Sequence, residues 1–179
     1  MADDAPGAGN DGEGDGVPWL DPEELEAWIS LVALLELLPS AIDAQLKRDA
    51  GVNLFEYSIL AGLSESADRT MPMSQLALFV SGSLSRLSHA ISRLESKGWV
   101  ERVASGSGRQ TDVRLTDVGW DAITGFAPAH VREARRLVVD VLSRRQLTDL
   151  GRASRDIIRA VDPDSSAALE ETIRRVTGR

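Results

Sequence analysis

The spacing of apolar residues changes abruptly at Gly98, and this change constrains the fold more than any other feature of the sequence. Before Gly98, apolar residues recur three and four positions apart, as on one face of a helix, at Leu84, Leu87, Ile91 and Leu94. After it, the pattern alternates from Trp99 to Val103 and again from Thr111 to Leu115, as in two strands. Lys97 and Gly98 supply the cation and the glycine with which helices commonly end. We therefore predict a helix followed directly by a β-hairpin.

Earlier in the chain, Asn53 is the candidate cap of a helix predicted from Leu54 to about Glu65. One short strand is predicted after it, from Met71 to Met73.

A shorter helix is predicted immediately before the helix that ends at Lys97 and Gly98. Ser74 is its candidate cap, and Ser81 and Gly82 end it. Ser83 then caps the longer helix, which has a polar and basic outward face. The residues of that face are Ser85, Arg86, Ser88, His89, Ser92 and Arg93. Two helices joined by a tight turn and followed by a hairpin form the element order of a winged helix-turn-helix.

A long helix is predicted on the N-terminal side of this domain, after a glycine-rich acidic stretch too poor in apolar residues to fold. Asp21 is its cap and Pro22 its first residue. One apolar stripe contains Leu25, Trp28, Ile29, Val32 and Leu35, and a second contains Leu31, Leu34, Leu38, Ile42 and Leu46. Pro39 predicts a kink or break. The two stripes exceed what one neighbour covers, so we expect this helix to contribute to a dimer interface.

Further helices are predicted after the hairpin. Thr116 caps one that runs toward Ser143, with Pro128 as a candidate bend, and two more cover about 147–161 and 165–176. The predicted fold class is mostly α with a small β-wing, a winged helix-turn-helix domain flanked by N- and C-terminal dimerisation helices. The predicted regions are a disordered acidic N-terminus (1–18), an N-terminal dimerisation helix region (19–52), a winged helix DNA-binding domain (53–119) and C-terminal dimerisation helices (120–179). We therefore expect a homodimer.

The residue chemistry gives no sign of an enzyme. The chain has no cysteine and only two histidines, His89 and His130, so neither a thiolate site nor a histidine-based metal site is expected. It contains no G-x-S-x-G, P-loop, H-E-x-x-H or dinucleotide-binding motif. We predict no catalytic residue, no metal and no cofactor. No secretory signal is recognisable and no apolar run approaches the roughly 20 residues of a membrane span, so a cytoplasmic protein without a membrane segment is expected.

Charge is distributed unevenly along the chain. The net charge is -8, which argues against a non-specific binder of polyanions. Residues 83–114, however, hold six basic residues against three acidic ones, a local charge of +3. This basic block coincides with the predicted helix and hairpin, and it favours a contact with nucleic acid there.

The run LALFVSGSLSRLSHAISRLESKGWVER, followed by GRQTDVRLTDVG, resembles the MarR family of bacterial transcription regulators in spacing and residue type. The matching residues are Leu76, Ala77, Leu94, Glu95, Gly98, Val100, Glu101, Arg102, Arg109, Leu115, Thr116 and Gly119. The resemblance implies a dimeric, ligand-responsive repressor that binds a pseudo-palindromic operator in double-stranded DNA. Arg109 matches the family's wing arginine, but the acidic residue usual two positions earlier is Ser107 here.

A helix of this length fits the major groove, and a hairpin tip reaches the minor groove. The predicted DNA-binding residues are Ser83, Ser85, Arg86, Ser88, His89, Arg93, Arg109 and Gln110. The alternative is a winged-helix protein-interaction module that does not bind DNA, which the acidic total slightly favours. A small aromatic or anionic effector is expected between the N-terminal helices and the winged helix, although no residue motif assigns its site.

Overall fold

The computed structural model describes residues 16–105 and 111–178. Its helices are α1 Pro22–Ala50, α2 Leu54–Ser64, α3 Met73–Phe79, α4 Leu84–Ser96, α5 Asp117–Ala134, α6 Arg144–Val161 and α7 Pro163–Thr177. Its strands are β1 Thr70–Pro72, β2 Val100–Ala104 and β3 Thr111–Leu115. The chain divides into two compact units between Leu37 and Leu38. The predicted class, mostly α with a small β-wing, is confirmed.

The three strands form one antiparallel sheet in the order β1-β3-β2. Val113 in the central strand lies opposite Met71 of β1 and Arg102 of β2, and its side chain is completely buried. The hairpin predicted from the alternating pattern is therefore present, and the short strand predicted near Met71 completes the sheet.

Helices α2, α3 and α4 surround the core of the second unit and pack on the sheet. The apolar stripe of α4 is buried as predicted, except that its first residue, Leu84, is 57% exposed. The largest completely buried side chains of the core are Leu46, Ile59, Leu60, Leu63, Leu76, Leu87, Ile91 and Leu94. Because one side of α4 is fully used in the core, its opposite side must face solvent.

Most predicted helix starts are confirmed by their caps. The Asn53 side chain accepts a hydrogen bond from Glu56 N at 2.9 Å, and Glu56 accepts one from Asn53 N at 3.0 Å. Ser83 caps α4 in the same way, through Arg86 N at 3.2 Å. Ser74, in contrast, is not a cap, because α3 already begins at Met73. Strand β1 leads directly into α3 through the extended backbone of Pro72, which leaves no polar residue between them.

Helix α1 is continuous over 29 residues and does not break at Pro39. Proline removes one hydrogen bond, but Pro39 and the carbonyl-bearing Leu35 are both exposed, so water can replace the missing donor. By length and hydropathy α1 could also cross a membrane, which corrects the expectation that no apolar run is long enough. One such helix is weak evidence for a membrane span, because a core helix of a soluble protein and a signal sequence pass the same test.

Helix α5 departs from regular geometry later than expected. It continues through Pro128 to Ala134 and then changes to a π-helical segment, Arg135–Val139, before Ser143 caps α6. Arg136 pairs with Glu133 three residues earlier and Arg135 with Asp140 five residues later. The wider π turn alters which side chains come together.

The start of α5 lies against the start of β2 at Gly119. A β-carbon at Gly119 would overlap the carbonyl oxygen of Trp99 and would lie 2.7 Å from a methyl group of Leu115. That carbonyl cannot move freely, because it accepts hydrogen bonds from the backbone and side chain of Thr116. Only glycine fits this contact.

We predict that Gly119→Ala lowers the free energy of unfolding by about 1–3 kcal/mol, the usual cost of overpacking. The matched control is Gly125→Ala on the same helix, where an added β-carbon meets nothing within 4 Å. This control should raise stability by about 0.5–1 kcal/mol, because alanine favours helix. Urea unfolding measures both values, and equal effects of the two substitutions would contradict the close contact.

Candidate nucleic-acid interface

The polar face of α4 is the candidate interface. Ser83 caps the helix, and five further predicted residues occupy its solvent side. All six are exposed: Ser83, Ser85, Arg86, Ser88, His89 and Arg93. The structure therefore brings these residues together on one surface next to the β2–β3 hairpin. The other two predicted residues, Arg109 and Gln110, lie outside the described residues.

Arg86 is oriented by an aromatic ring. Its guanidinium carbon lies 4.0 Å from the centroid of the Phe55 ring. Phe55 in turn packs tightly beneath Gly82, where an added β-carbon would lie 2.7 Å from the ring. Within residues 16–105 and 111–178, no carboxylate pairs with Arg86. Its position is thus restrained by stacking while its charge is left uncompensated.

Arg93 is held differently, by a buried carboxylate. Its Nε donates to Glu56 Oε1 at 2.6 Å, and the Glu56 residue is 5% exposed. The second oxygen of Glu56 accepts the hydrogen bond from Asn53 N that caps α2. Glu56 therefore joins the polar face of α4 to the first turn of α2, and it compensates the charge of Arg93.

Arg102 on β2 contacts α4 most extensively, and its structural role was missed in the sequence. It pairs with Glu95 and donates through Nη2 to Ser88 O at 3.0 Å, Ser88 Oγ at 3.3 Å and Ser92 Oγ at 3.2 Å. Arg102 was not among the predicted DNA-binding residues, and no contact with α4 was predicted for it. The signal was the position of Glu95 in the last turn of the helix, seven residues before a basic residue in the next strand.

The remaining cations of the basic block are also engaged. Arg114 pairs with Glu101 across the hairpin at 2.8 Å. Lys97 donates to the carbonyl of Gly51 at 2.8 Å and lies 4.6 Å from the centroid of the Trp99 ring. In the described part of the block, only Arg86 and Lys97 are without a carboxylate partner. The local charge of +3 therefore overstates the positive charge available to a ligand.

Two cavities lie beside the helix-turn-helix. One, of about 580 Å³, is bordered by Asp43 and Lys47 of α1, Phe55 of α2, and Arg86. The other, of about 720 Å³, lies between α3, the start of α4 and the α6–α7 junction, and its lining is mainly apolar. The first is close to where the sequence placed an effector. The described residues contain no group of three or more His, Asp or Glu side chains that could hold a metal ion.

No protein-family model matches the chain, and no curated protein sequence matches it either. Solved structures do resemble it. The chain is 38% identical to Sco3205, a MarR family transcriptional regulator from Streptomyces coelicolor solved in complex with DNA; the TM-score is 0.80, with 84% of this chain and 94% of that chain covered. It is 34% identical to AbsC, another MarR family regulator from that organism, with a TM-score of 0.77 and coverage of 81% and 98%.

The same fold occurs at lower identity in a mutant MarR from E. coli complexed with operator DNA. Identity there is 20%, the TM-score is 0.63, and 75% of this chain and 97% of that chain are covered. The two Streptomyces proteins are similar over nearly their whole length, and the helix-turn-helix with its hairpin is as the sequence motifs predicted. The chain therefore belongs to the MarR family of transcriptional regulators.

Proposed function

We propose that this regulator binds double-stranded DNA in a sequence-specific manner, as a ligand-responsive repressor in the cytoplasm. The observation that carries the proposal is the exposed polar face of α4 beside the hairpin, in a chain 38% identical to a regulator solved with DNA. Helix α4 has 13 residues and is thus about 20 Å long, which suits the major groove. The acidic net charge slightly favours the alternative of a protein-interaction module, but the likeness to a regulator solved with DNA outweighs it.

The ion pairs around α4 indicate how DNA would be read. Arg93, Arg102 and Arg114 are each paired with a glutamate, so they contribute little attraction to phosphate. Serine hydroxyls, His89 and the uncompensated Arg86 remain for base edges and nearby phosphates. The sequence predicts that Arg109 and Gln110 at the hairpin tip reach the minor groove. Their contacts would add to those of α4. Binding should therefore depend on salt less steeply than the number of basic residues suggests.

We predict that Arg86→Ala weakens binding to a duplex selected by the wild-type protein from a randomised library. The expected loss is about 1–3 kcal/mol, as for a side chain that contacts a base, with a smaller loss on an unrelated duplex. The control is Arg145→Ala, which removes the same charge from a side chain on α6 that is 93% exposed. Fluorescence anisotropy over a range of salt concentrations measures both, and equal behaviour of the two variants would argue against Arg86 as a reading residue.

We propose further that the protein is a homodimer. The first part of α1 carries large apolar side chains that remain exposed in the single chain, including Trp28 at 56% and Leu35 at 64%. Val161 on α6 and Val176 on α7 are exposed as well. Water contact at this many apolar side chains is unfavourable, and burial in a two-fold interface would remove it. Two α4 helices in such a dimer would meet half-sites about 34 to 36 Å apart.

For the dimer we predict that Trp28→Glu combined with Leu35→Glu produces a monomer. The charges would be buried without partners in the proposed interface. Ala33→Glu is the control, because it adds a glutamate on the opposite side of the helix. Sedimentation velocity at micromolar concentration should give a dimer for the wild type and the control. A monomeric wild type, or a doubly substituted protein that remains dimeric, would refute the proposal.

We propose that an anionic aromatic effector binds in the cavity of about 580 Å³. Lys47 in its wall is neutralised by Asp43 at 2.6 Å, and the hydrogen bonds from Lys47 and Leu54 hold the pKa of Asp43 below its usual value. Arg86 supplies the uncompensated positive charge and Phe55 an aromatic face. Because Arg86 also belongs to the candidate DNA interface, a ligand held by Arg86 would compete with DNA for the same guanidinium.

We predict that benzoate binds this cavity more tightly than benzamide, which has the same shape without the charge, and that Arg86→Gln removes the difference. Operator binding and benzoate binding should weaken each other by the same factor, since coupling is reciprocal. Calorimetry with and without the selected duplex tests this. The same benzoate affinity in both conditions would exclude the proposed competition.

A further inference from the structure

The guanidinium of Arg102 joins the hairpin to the middle of α4. It projects from β2, and its side chain is 31% exposed. Besides its ion pair with Glu95, it donates to the backbone carbonyl and hydroxyl of Ser88 and to the hydroxyl of Ser92. The backbone N–H of Arg102 also donates to Glu95 Oε1 at 3.1 Å. One side chain thus holds two successive turns of α4 against the first strand of the hairpin.

The hydrogen bonds of the two serines differ in a way that matters for recognition. Ser92 Oγ donates its proton to Ser88 O at 3.1 Å and accepts from Arg102, so both roles are used within the protein. Ser88 Oγ accepts from Arg102, and among the described residues no acceptor takes its proton. That proton cannot point toward the guanidinium, which offers only donors. The exposed Ser88 hydroxyl is therefore left to donate outward from α4.

We propose that Arg102 is a positioning residue for DNA recognition, which orients Ser88 as a hydrogen-bond donor and fixes the hairpin to α4. This inference rests on the proposed DNA binding. A donor at this position pairs with a major-groove acceptor, such as purine N7, guanine O6 or thymine O4, and is mismatched to the amino groups of adenine and cytosine. Arg102 would then influence the choice of base without contacting DNA.

The geometry requires arginine rather than a general cation. The planar guanidinium presents several donors in fixed directions, and here it serves Glu95, Ser88 and Ser92 at once. A lysine ammonium has three donors on a flexible stem and cannot hold the same directions. The pairing with Glu95 also compensates the charge, which leaves little attraction between Arg102 and phosphate. A positioning role and a phosphate contact therefore predict different effects of substituting Arg102 on sequence specificity and on the salt dependence of binding.

The test compares Arg102→Lys, Ser88→Ala and the double variant on two duplexes, one selected by the wild-type protein from a randomised library and one unrelated. We expect Arg102→Lys to weaken binding to the selected duplex about 5- to 30-fold, the value of a lost hydrogen bond or two. Binding to the unrelated duplex and the salt dependence should stay unchanged. Ser88→Ala should add no further loss in the Arg102→Lys background, because both act through one contact.

Arg114→Gln is the matched control, since it breaks an ion pair in the same hairpin that does not involve α4. It should leave both affinities unchanged. Glu95→Gln is a second variant that loosens Arg102 while retaining the guanidinium; it should lower the ratio of specific to unrelated binding, again without a further effect of Ser88→Ala. Thermal unfolding of each variant verifies that it is folded.

Three results would overturn the inference. Additive losses for Arg102→Lys and Ser88→Ala would mean that the two residues act separately. Arg102→Gln, a further variant that also removes the charge, tests for a phosphate contact: equal losses on both duplexes, with a salt slope reduced by about 1, would identify a phosphate ligand instead. Unchanged specificity in both Arg102→Lys and Glu95→Gln would show that the contacts serve only the fold. A wild-type protein that selects no duplex would instead contradict the proposed function itself.

Discussion

Leu87, Ile91 and Leu94 are completely buried, and their packing determines the direction in which every polar side chain of α4 points. A helix with one side held in the core can present only the opposite side to a partner. The serines, His89 and Arg86 lie on that side as a consequence. The hairpin that begins after Gly98 is placed beside the same surface because its strand β2 continues directly from the end of α4.

The local sequence charge and the charge available to a ligand differ strongly in this protein. Three arginines of the basic block are bonded to glutamates, one of which, Glu56, is itself nearly buried. Two of these pairs connect α4 to α2 and to β2, and the third joins the two strands of the hairpin, so the basic residues serve the geometry of the domain. The hydroxyl groups that they hold in place would then carry more of the recognition than the charges themselves. An acidic regulator can bind DNA selectively in this way, because its attraction to DNA of unrelated sequence is weak.

Local patterns predicted the elements well, because the period of apolar residues and the capping residues act within one or two turns. The caps at Asn53, Ser83 and Thr116 and the exposed face of α4 were all predictable on this basis. The contacts of Arg102 and Arg93 were not, because each joins residues from different elements and depends on tertiary packing. The sequence allowed either a kink or a break at Pro39, and it could not exclude the break because the cost of a proline depends on whether water reaches the freed carbonyl.

Thr116 connects the two residues that precede β2 with the first turn of α5. Its hydroxyl donates to the carbonyls of Gly98 and Trp99 and accepts from Gly119 N, at 2.7, 3.1 and 3.0 Å. One residue inserted between Leu115 and Asp117 would turn α5 by about 100° about its axis and separate these partners. The spacing from β3 to α5 is therefore fixed in length. Related chains that keep this threonine and glycine should vary in hairpin length, but not at this junction.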